Sequence, residues 1–261
     1  HFNPDVMVYG TWSTGFRPGG VNRRIFQQAL YNSDTVTNYE AGFKSSWDEN
    51  RVRFNVAVFQ EDWSDFQFSF LGANGLTEVR NAGDARIRGV EGDLTWRPFE
   101  GFTLTAAATY LHGEILQNYC ALLLDGSQTT DCPSLSALLA PSGTRLPVTP
   151  EVKADLTARQ EFQMMGTDAY WQIAMVHQSS APQDLRTVEN AIIGELPAYT
   201  SFNLSAGFEF PWFSLDFFIR NATDERGELY RYTECAIATC TQYYVVPIQP
   251  RTFAMRVSRT F

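Results

Sequence analysis

The chain has 261 residues, among them 20 Phe, 11 Tyr and 6 Trp, and carries a formal net charge of −9. The negative charge argues against a nucleic-acid partner, which would require basic patches, and no apolar run approaches the roughly 18 to 20 residues of a membrane-spanning helix. The high aromatic share and the slightly polar mean hydropathy instead fit strands with one face in lipid and one in water.

Alternation of apolar and polar residues, the pattern of a β-strand, recurs from one end of the chain to the other. It predicts ten strands, at about residues 5 to 15, 36 to 48, 50 to 70, 79 to 97, 101 to 114, 149 to 162, 168 to 180, 198 to 210, 213 to 223 and 247 to 261. The fold class expected from this pattern is all-β, a transmembrane antiparallel β-barrel.

The segment from 198 to 210 shows the division of faces most clearly. Phe202, Leu204 and Phe208 share one face, whereas Asn203 and Ser205 share the other. This division has a physical cause, since Arg or Lys at the midplane of a lipid-facing surface costs about 2 to 4 kcal/mol. The residues predicted to face lipid are Phe54, Val56, Phe202, Phe208, Phe217 and Val257. Those predicted to face the lumen are Arg53, Asn203 and Arg256.

The third segment, 50 to 70, is too long for a single crossing of about 9 to 11 residues. Residues 60 to 65 place polar side chains in the lipid-facing phase before Phe66, Phe68 and Phe70 resume the apolar pattern. A bulge near Trp63 would reset the phase. We favour the alternative, in which the strand projects above the bilayer.

The connections between the predicted strands alternate in length. Short ones, rich in turn formers, lie at 48–50, 97–101, 163–168 and 211–212, and long ones lie at about 16–35, 71–78, 115–148, 181–197 and 224–246. Outer-membrane barrels have short periplasmic turns and long extracellular loops. We therefore expect all the long connections at the extracellular end.

Four cysteines occur in two local pairs, each within a long polar connection: Cys120 with Cys132, and Cys235 with Cys240. Four cysteines allow three connectivities, and the short local loops favour pairing in sequence order. A zinc site is the alternative, but no His lies near either pair and the spacings do not repeat. Disulfides in outer loops would fit an oxidising compartment.

The last predicted strand places Phe253, Met255, Val257 and Phe261 on one face and polar residues on the other. An apolar outer face that ends on an aromatic residue is typical of the closing strand of an outer-membrane barrel. Arg259 interrupts the apolar face, but it lies near the interface, where the cost of a charge falls to about 0 to 1 kcal/mol.

Six short motifs, spread over nearly the whole chain, match those of a known protein family. In order they are Val8 to Gly20, Thr37 to Lys44, Asn81 to Glu91 with Arg97-Pro98 after it, Leu146 to Pro150, Ile219 to Asp224, and Pro250 to Phe253. Each is weak alone, but together and in this order they resemble the C-terminal half of the barrel of TonB-dependent outer-membrane receptors. Arg259 departs from the family, whose ending more often has an aromatic residue at that place.

The resemblance implies that residues 1–261 are the C-terminal part of a barrel of about 22 strands. An N-terminal plug, a TonB-contacting segment and the earlier strands would then lie outside this sequence, which begins with His1 and shows no signal peptide. The open edges would leave backbone groups unpaired in lipid, so we expect the piece not to be stable alone. The implied location is the outer membrane of a Gram-negative bacterium.

The function implied is TonB-energised uptake of a scarce, bulky ligand: a ferric siderophore, cobalamin or an oligosaccharide. The implied partners are the TonB complex, outer-membrane lipid and the extracellular ligand, with no nucleic acid, cofactor or metal site. Two alternatives are an outer-membrane barrel hydrolase and a passive porin. A hydrolase would need a His or paired carboxylates at the rim or lumen, yet His112 and His177 share the phase of apolar residues.

Candidate ligand-binding residues lie in two outer loops: Arg17, Tyr230, Arg231, Tyr232, Tyr243 and Tyr244. Tyrosines provide rigid amphipathic contact area, and a loop closed by a disulfide loses less freedom on binding. The alternative is that these residues pack the loops. We expect Gly42, Gly89 and Gly207 to allow barrel curvature or close packing rather than the approach of a ligand. We expect Asn221 and Asp224 to order the end of their strand and the turn that follows it.

Overall fold

The computed structural model describes residues 5–23, 30–72, 75–123, 125–237, 239–240 and 242–259. In chain order its strands are β1 (Val6–Arg17), β2 (Gly20–Val21), β3 (Leu30–Tyr31), β4 (Asp34–Trp47), β5 (Val52–Ser64), β6 (Gln67–Leu71), β7 (Thr77–Asn81), β8 (Ala85–Trp96), β9 (Phe102–Ile115), β10 (Tyr119–Cys120), β11 (Leu138–Ala140), β12 (Val152–Met164), β13 (Thr167–Gln178), β14 (Tyr199–Glu209), β15 (Ser214–Arg220), β16 (Glu228–Tyr232), β17 (Tyr244–Pro247) and β18 (Thr252–Ser258). A short helix, α1, spans Thr187–Ile193, and a 3-10 turn spans Leu135–Ala137.

Ten long strands form one antiparallel sheet, which is the wall of the molecule. Their order is β1-β4-β5-β8-β9-β12-β13-β14-β15-β18, so each strand pairs with the next one along the wall and β1 and β18 are the two edges. The predicted number of wall strands, ten, and the all-β fold class are therefore confirmed. Among the described residues, no helix has the length and apolar character needed to cross a bilayer.

Two predicted segments are each divided in the structure. β5 ends at Ser64, and the chain continues as β6, which pairs with β7 in a separate hairpin before β8 returns to the wall. Asp65 and Gly83 take positive φ angles of 54° and 77° at the two sides of this hairpin. The prediction of single strands over 50 to 70 and 79 to 97 was wrong there, because the alternating pattern continues across the break.

A bulge near Trp63 is excluded, whereas the projection of β5 above the bilayer stays a prediction. β5 pairs with β8 from Val52 to Trp63 without a register shift. At about 3.3 Å per residue, a strand of 13 residues is longer than the apolar band of about 25 Å. The polar residues near the end of β5 are therefore expected to stand outside that band.

The register places the predicted lipid-facing and lumen-facing residues on opposite faces of the wall. One row of paired residues across six strands is apolar throughout: Phe54, Leu94, Ala106, Leu156, Met175 and Phe202. The adjacent row, on the other face, is mostly polar: Arg53, Thr95, Thr105, Thr157, Ala174 and Asn203. The division into two faces inferred from alternation is thus confirmed across the sheet.

Short turns and long connections lie at opposite ends of the wall, as predicted. The tightest case joins β4 to β5, where Asp48, Glu49 and Asn50 all have positive φ angles, between 53° and 68°. At the other end, Asn221 accepts a hydrogen bond from Glu225 N at 2.8 Å and donates to the carbonyl oxygens of Glu225 and Gln249, each at 2.9 Å. The predicted role of Asn221 in ordering this turn is confirmed.

Three glycines on the lumen face lie directly opposite an aromatic ring on the neighbouring strand. The pairs are Tyr9 with Gly42, Phe59 with Gly89, and Tyr170 with Gly207. A Cβ atom at any of these glycines would collide with the ring. Two of the rings also bind acids through their hydroxyls, Tyr9 to Glu40 at 2.6 Å and Tyr170 to Asp216 at 2.8 Å. The predicted close packing at these glycines is confirmed, whereas a role in barrel curvature stays a prediction.

We expect Gly42→Ala to destabilise the intact receptor by about 1 to 3 kcal/mol, the usual cost of overpacking. The added methyl group would displace the Tyr9 ring and its hydrogen bond to Glu40. Gly10→Ala is the matched control, because the nearest atom to its Cβ would be Glu40 O at 3.9 Å. The measurement is the temperature at which the folded, fast-migrating band is lost on a gel, and equal shifts for both variants would contradict the expectation.

Both disulfides join the predicted partners, Cys120 with Cys132 and Cys235 with Cys240, in long connections at the outer end. The first lies beside a small hydrophobic core built mostly in the loops, together with the outermost residues of β8 and β9. Its buried members are Phe68, Ala82, Ala85, Ile115, Tyr119, Ala140, Leu146 and Leu185. This loop core gives the outer end a packed interior of its own.

Candidate functional site

Three outer connections meet around one pocket, here called the three-loop pocket. They are the β6–β7 hairpin, the segment 181–197 that contains α1, and the β16–β17 hairpin. The pocket has a volume of about 320 Å³. The residues that matter for its chemistry are Phe68, Phe70, Gln183, Tyr230, Arg231 and Tyr232. Three of the candidate ligand-binding residues therefore line a single cavity.

Arg231 holds two of these connections together. Its backbone N–H donates to Gln183 Oε1 at 2.8 Å, its Nη1 donates to the carbonyl oxygen of Ile193 at 2.7 Å, and its Nε donates to Glu228 at 2.5 Å. The guanidinium also lies 4.9 Å from the centre of the Tyr243 ring. Only 12% of the side chain is exposed. The charge of Arg231 is thus already paired, and the residue fixes the shape of the pocket.

The four candidate tyrosines are half-exposed, each with 44% to 46% of its surface accessible. Tyr232 and Tyr244 are register partners across the β16–β17 hairpin, and their rings stack with centroids 5.3 Å apart. Tyr230 and Tyr232 line the three-loop pocket, whereas Tyr243 and Tyr244 support Arg231 and Tyr232 from outside it. The structure thus brings five of the six candidate residues together.

A group of buried charged residues lies next to Phe70, one of the aromatic residues that line the pocket. The ring of Phe70 lies between the guanidinium groups of Arg80 and Arg186, 5.2 Å and 4.3 Å from them. Asp184 accepts two hydrogen bonds from the Arg186 side chain, at 2.9 Å and 2.7 Å. Burial opposes the charge of Arg186, but the hydrogen bond and charge of Asp184 outweigh it, so the pKa of Arg186 is raised. The pair is tightly held by these two hydrogen bonds.

Arg17 does not line the three-loop pocket. It ends β1 and pairs with the buried carboxylate of Asp34, and its guanidinium lies 5.0 Å from the centre of the Trp63 ring. Asp34 also accepts a hydrogen bond from Gln67 N at 3.1 Å, at the start of β6. The geometry makes Arg17 an anchor for the β6–β7 hairpin.

Residues that sequence reasoning missed supply most of the pocket. Gln183 is only 8% exposed, and its Oε1 is held by Arg231 N. Its Nε2 is buried and has no hydrogen-bond partner among the described residues. Phe68 and Phe70 belong to the β6–β7 hairpin, whereas their alternating pattern predicts that they continue β5 in the wall. No local pattern marks these residues, because their partners lie far away in the sequence.

The two described histidines are not placed for catalysis at the lumen. His112 shares a face with Tyr110 and bonds Glu151 at 2.8 Å, and His177 bonds the hydroxyl of Thr200 at 2.8 Å on the same outward face. Within the described ranges, no group of three or more His, Cys, Asp or Glu residues could hold a metal ion.

The lumen face carries ladders of polar contacts between neighbouring strands. Asn55 donates to Asp93 at 2.9 Å, and Arg256 donates to Asp216 at 3.2 Å. Arg159 lies 3.8 Å from the centre of the Tyr170 ring. These contacts link neighbouring strands along the wall.

Known proteins resemble the chain in sequence and in fold. Residues 1–222 match the family model described as TonB dependent receptor-like, beta-barrel. A TonB-dependent receptor from Haemophilus influenzae, described as uncharacterized, is 25% identical over 138 residues, which are 53% of this chain and 39% of that protein.

Solved structures resemble nearly the whole chain. The ferric yersiniabactin uptake receptor FyuA from Yersinia pestis has a TM-score of 0.74 at 18% identity, over 98% of this chain and 35% of FyuA. The siderophore receptor PiuA from Acinetobacter baumannii has a TM-score of 0.71 at 17% identity, over 98% of this chain and 34% of PiuA. The copper transporter OprC has a TM-score of 0.68 at 14% identity, over 99% of this chain and 38% of OprC.

Identities this low establish a shared fold only, and the chain spans little more than a third of the length of each of these relatives. The family model, however, covers 1–222 of the 261 residues. The chain belongs to the family of TonB-dependent receptor β-barrels, which are proteins of the Gram-negative outer membrane.

Proposed function

We propose that residues 1–261 are the C-terminal part of the barrel of a receptor that takes up a scarce, bulky ligand with energy relayed by TonB. The plug and the TonB-contacting segment would belong to the N-terminal region of the full protein. The outer connections would capture the ligand, and movement of the plug would admit it. No bond is made or broken in this process, so the protein is not an enzyme.

One observation supports this proposal most directly. The wall has an apolar outer face and a polar lumen, and its outer end bears a packed set of connections with a pocket. A passive porin has no need of a built cavity in its outer connections. A hydrolase requires a catalytic group at the lumen or rim, and the two described histidines lie on the outward face.

The ligand is proposed as a class. FyuA and PiuA are receptors for ferric yersiniabactin and for a siderophore, which supports a ferric siderophore here. OprC is a copper transporter with the same fold, so the fold does not select the ligand. Cobalamin and an oligosaccharide therefore stay beside the siderophore as candidates.

Uptake by whole cells tests the function. Cells that express the full receptor are given radiolabelled ferric siderophores, cobalamin or maltodextrin, in strains with and without TonB. We expect the receptor to raise uptake of one of these ligands only where TonB is present. Uptake of small solutes that continues without TonB would identify a porin and overturn the proposal.

A further inference from the structure

A further cavity at the outer end, here called the amide pocket, has a volume of about 370 Å³. It lies between the base of the β6–β7 hairpin, the loop closed by Cys120 and Cys132, and the residues just before that loop. The residues that matter for its chemistry are Asp65, Gly83, Gln117, Asn118, Gln128 and Thr130. Since a cavity of about 150 Å³ already encloses benzene, one six-membered ring with several substituents has room here.

Three amide side chains of this pocket are each anchored at one end by the protein. The anchoring hydrogen bonds run from Gln117 Nε2 to Asp84 Oδ2 at 3.2 Å, from Ser142 N to Asn118 Oδ1 at 2.9 Å, and from Gln128 Nε2 to the carbonyl oxygen of Asn81 at 2.6 Å. Carboxylate and carbonyl oxygens only accept hydrogen bonds, and a backbone N–H only donates. The partner of each amide therefore fixes which way the amide is turned.

The other end of each amide is available to a ligand. The free atoms are the acceptors Gln117 Oε1 and Gln128 Oε1 and the donor Asn118 Nδ2, which have no hydrogen-bond partner among the described residues. Gln117 is exposed, and the free atoms of the other two residues are not buried. The pocket thus presents two acceptors and one donor that are held in place and can be reached from outside.

Gly83 keeps the floor of the amide pocket open. Its φ angle is 77°, and a Cβ atom at this position would lie 2.8 Å from Gln117 Oε1 and 3.6 Å from Thr130 Cγ2. Gln117 and Thr130 therefore lie over the same stretch of bare backbone. A larger residue would fill the space that the free acceptor of Gln117 faces.

The charge in the pocket disfavours an anion. Asp65 is the one charged residue among the eleven described residues that line the pocket. An anionic group would meet this carboxylate and the two free carbonyl oxygens, and it would lose its hydration without gaining a cation. An ammonium group would suit the acceptors but cannot accept from Asn118 Nδ2, whereas a hydroxyl group both donates and accepts. A neutral group with several hydroxyls therefore matches the lining best.

We propose that the amide pocket binds a neutral sugar ring of the ligand through hydrogen bonds from its hydroxyls to the free ends of Gln117, Asn118 and Gln128. This inference rests on the proposed uptake function and favours the oligosaccharide among its candidate ligands. Asp65 excludes sugars that carry a carboxylate.

Binding of simple sugars to the intact receptor tests the proposal. The receptor is solubilised in lauryldimethylamine oxide, because glycoside detergents would compete, and the methyl glycosides of glucose, galactose and mannose are titrated by saturation-transfer NMR. Tetrahydropyran-2-methanol keeps the ring but lacks the ring hydroxyls, and the uronate of each glycoside carries a carboxylate in place of the hydroxymethyl group. We expect at least one neutral glycoside to bind at least tenfold more tightly than its uronate or the ring without hydroxyls.

The variant Asp65→Asn tests the exclusion of anions. Asn tolerates the left-handed backbone conformation at this position, where φ is 54°. We expect the variant to raise the affinity for the uronate at least fivefold and to change the affinity for the neutral glycoside less than twofold.

The variant Asn118→Asp keeps the acceptor for Ser142 N but replaces the Nδ2 donor by an oxygen. We expect it to weaken binding of the neutral glycoside at least tenfold. Asn50→Asp is the matched control, because Asn50 also accepts a hydrogen bond through Oδ1, from Ser46 Oγ at 2.6 Å, in the turn at the opposite end of the wall. It should leave the affinity unchanged.

The inference is overturned if no neutral glycoside binds, if the ring without hydroxyls binds equally well, or if Asn118→Asp binds like the unmodified receptor. An unchanged affinity of Asp65→Asn for the uronate would overturn the role of Asp65. TonB is absent from this assay. TonB-dependent uptake without glycoside binding would therefore reject the pocket alone, whereas glycoside binding without TonB-dependent uptake would reject the uptake function alone.

Discussion

Placing an arginine on the apolar face of β12 should prevent much of the receptor from folding in the outer membrane. Leu156 lies in the apolar row of the wall, between Ala106 on β9 and Met175 on β13. The outward-facing residues of β12 carry no charge from Val152 to Met164, and Leu156 lies inside this run, away from both ends of the strand. An arginine at the midplane costs about 2 to 4 kcal/mol.

The neighbouring Asp155 offers a matched control, because it lies on the opposite, lumenal face of the same strand. An arginine there meets water, so Asp155→Arg should assemble to nearly the normal level. The folded fraction in outer-membrane preparations is measured by heat-dependent gel mobility, with urea titration for the difference in stability. Equal losses for Leu156→Arg and Asp155→Arg would show that the two faces have been assigned incorrectly.

The strands of the wall could be predicted from the sequence because each strand shows the alternating pattern of apolar and polar residues by itself. Side chains alternate between lipid and water, and the charge penalty in lipid enforces the alternation residue by residue. The same logic explains the error at Ser64. The residues Phe66, Phe68 and Phe70 continue the alternation of β5, but they belong to a hairpin that turns away at Asp65. Periodicity reports that a segment is a strand and says nothing about which sheet it joins.

The candidate site was predictable only in part. The aromatic residues and Arg231 stood out by residue type beside a cysteine pair, and the structure places most of them together. Gln183 did not stand out, because its importance comes from a contact with Arg231, 48 residues away. Arg17 stood out as a cation in an outer loop, where it could bind an anionic ligand. It pairs instead with Asp34, its register partner on the neighbouring strand β4. Long-range contacts of this kind leave no local signal.

The disulfide between Cys120 and Cys132 should have the larger effect of the two on the outer connections. In the chain-entropy model, closing a loop with a separation of 12 residues stabilises by about 3 kcal/mol, against about 2 kcal/mol for the separation of 5 residues between Cys235 and Cys240. Cys120 is also almost fully buried beside Tyr119, a member of the loop core. Loss of the first disulfide therefore releases core packing as well as the loop.

We expect the double substitution Cys120→Ser with Cys132→Ser to expose residues 116–133 to protease in intact cells, while the barrel still assembles. Tyr119 packs edge-on against Phe68 at 6.1 Å between ring centroids, and Phe68 lines the three-loop pocket. The double substitution Cys235→Ser with Cys240→Ser is the comparison, and mass spectrometry of released peptides locates the cuts. Faster cleavage at 116–133 in the second variant than in the first would refute the ranking, because the connection tied to the loop core is the one whose packing depends on its disulfide.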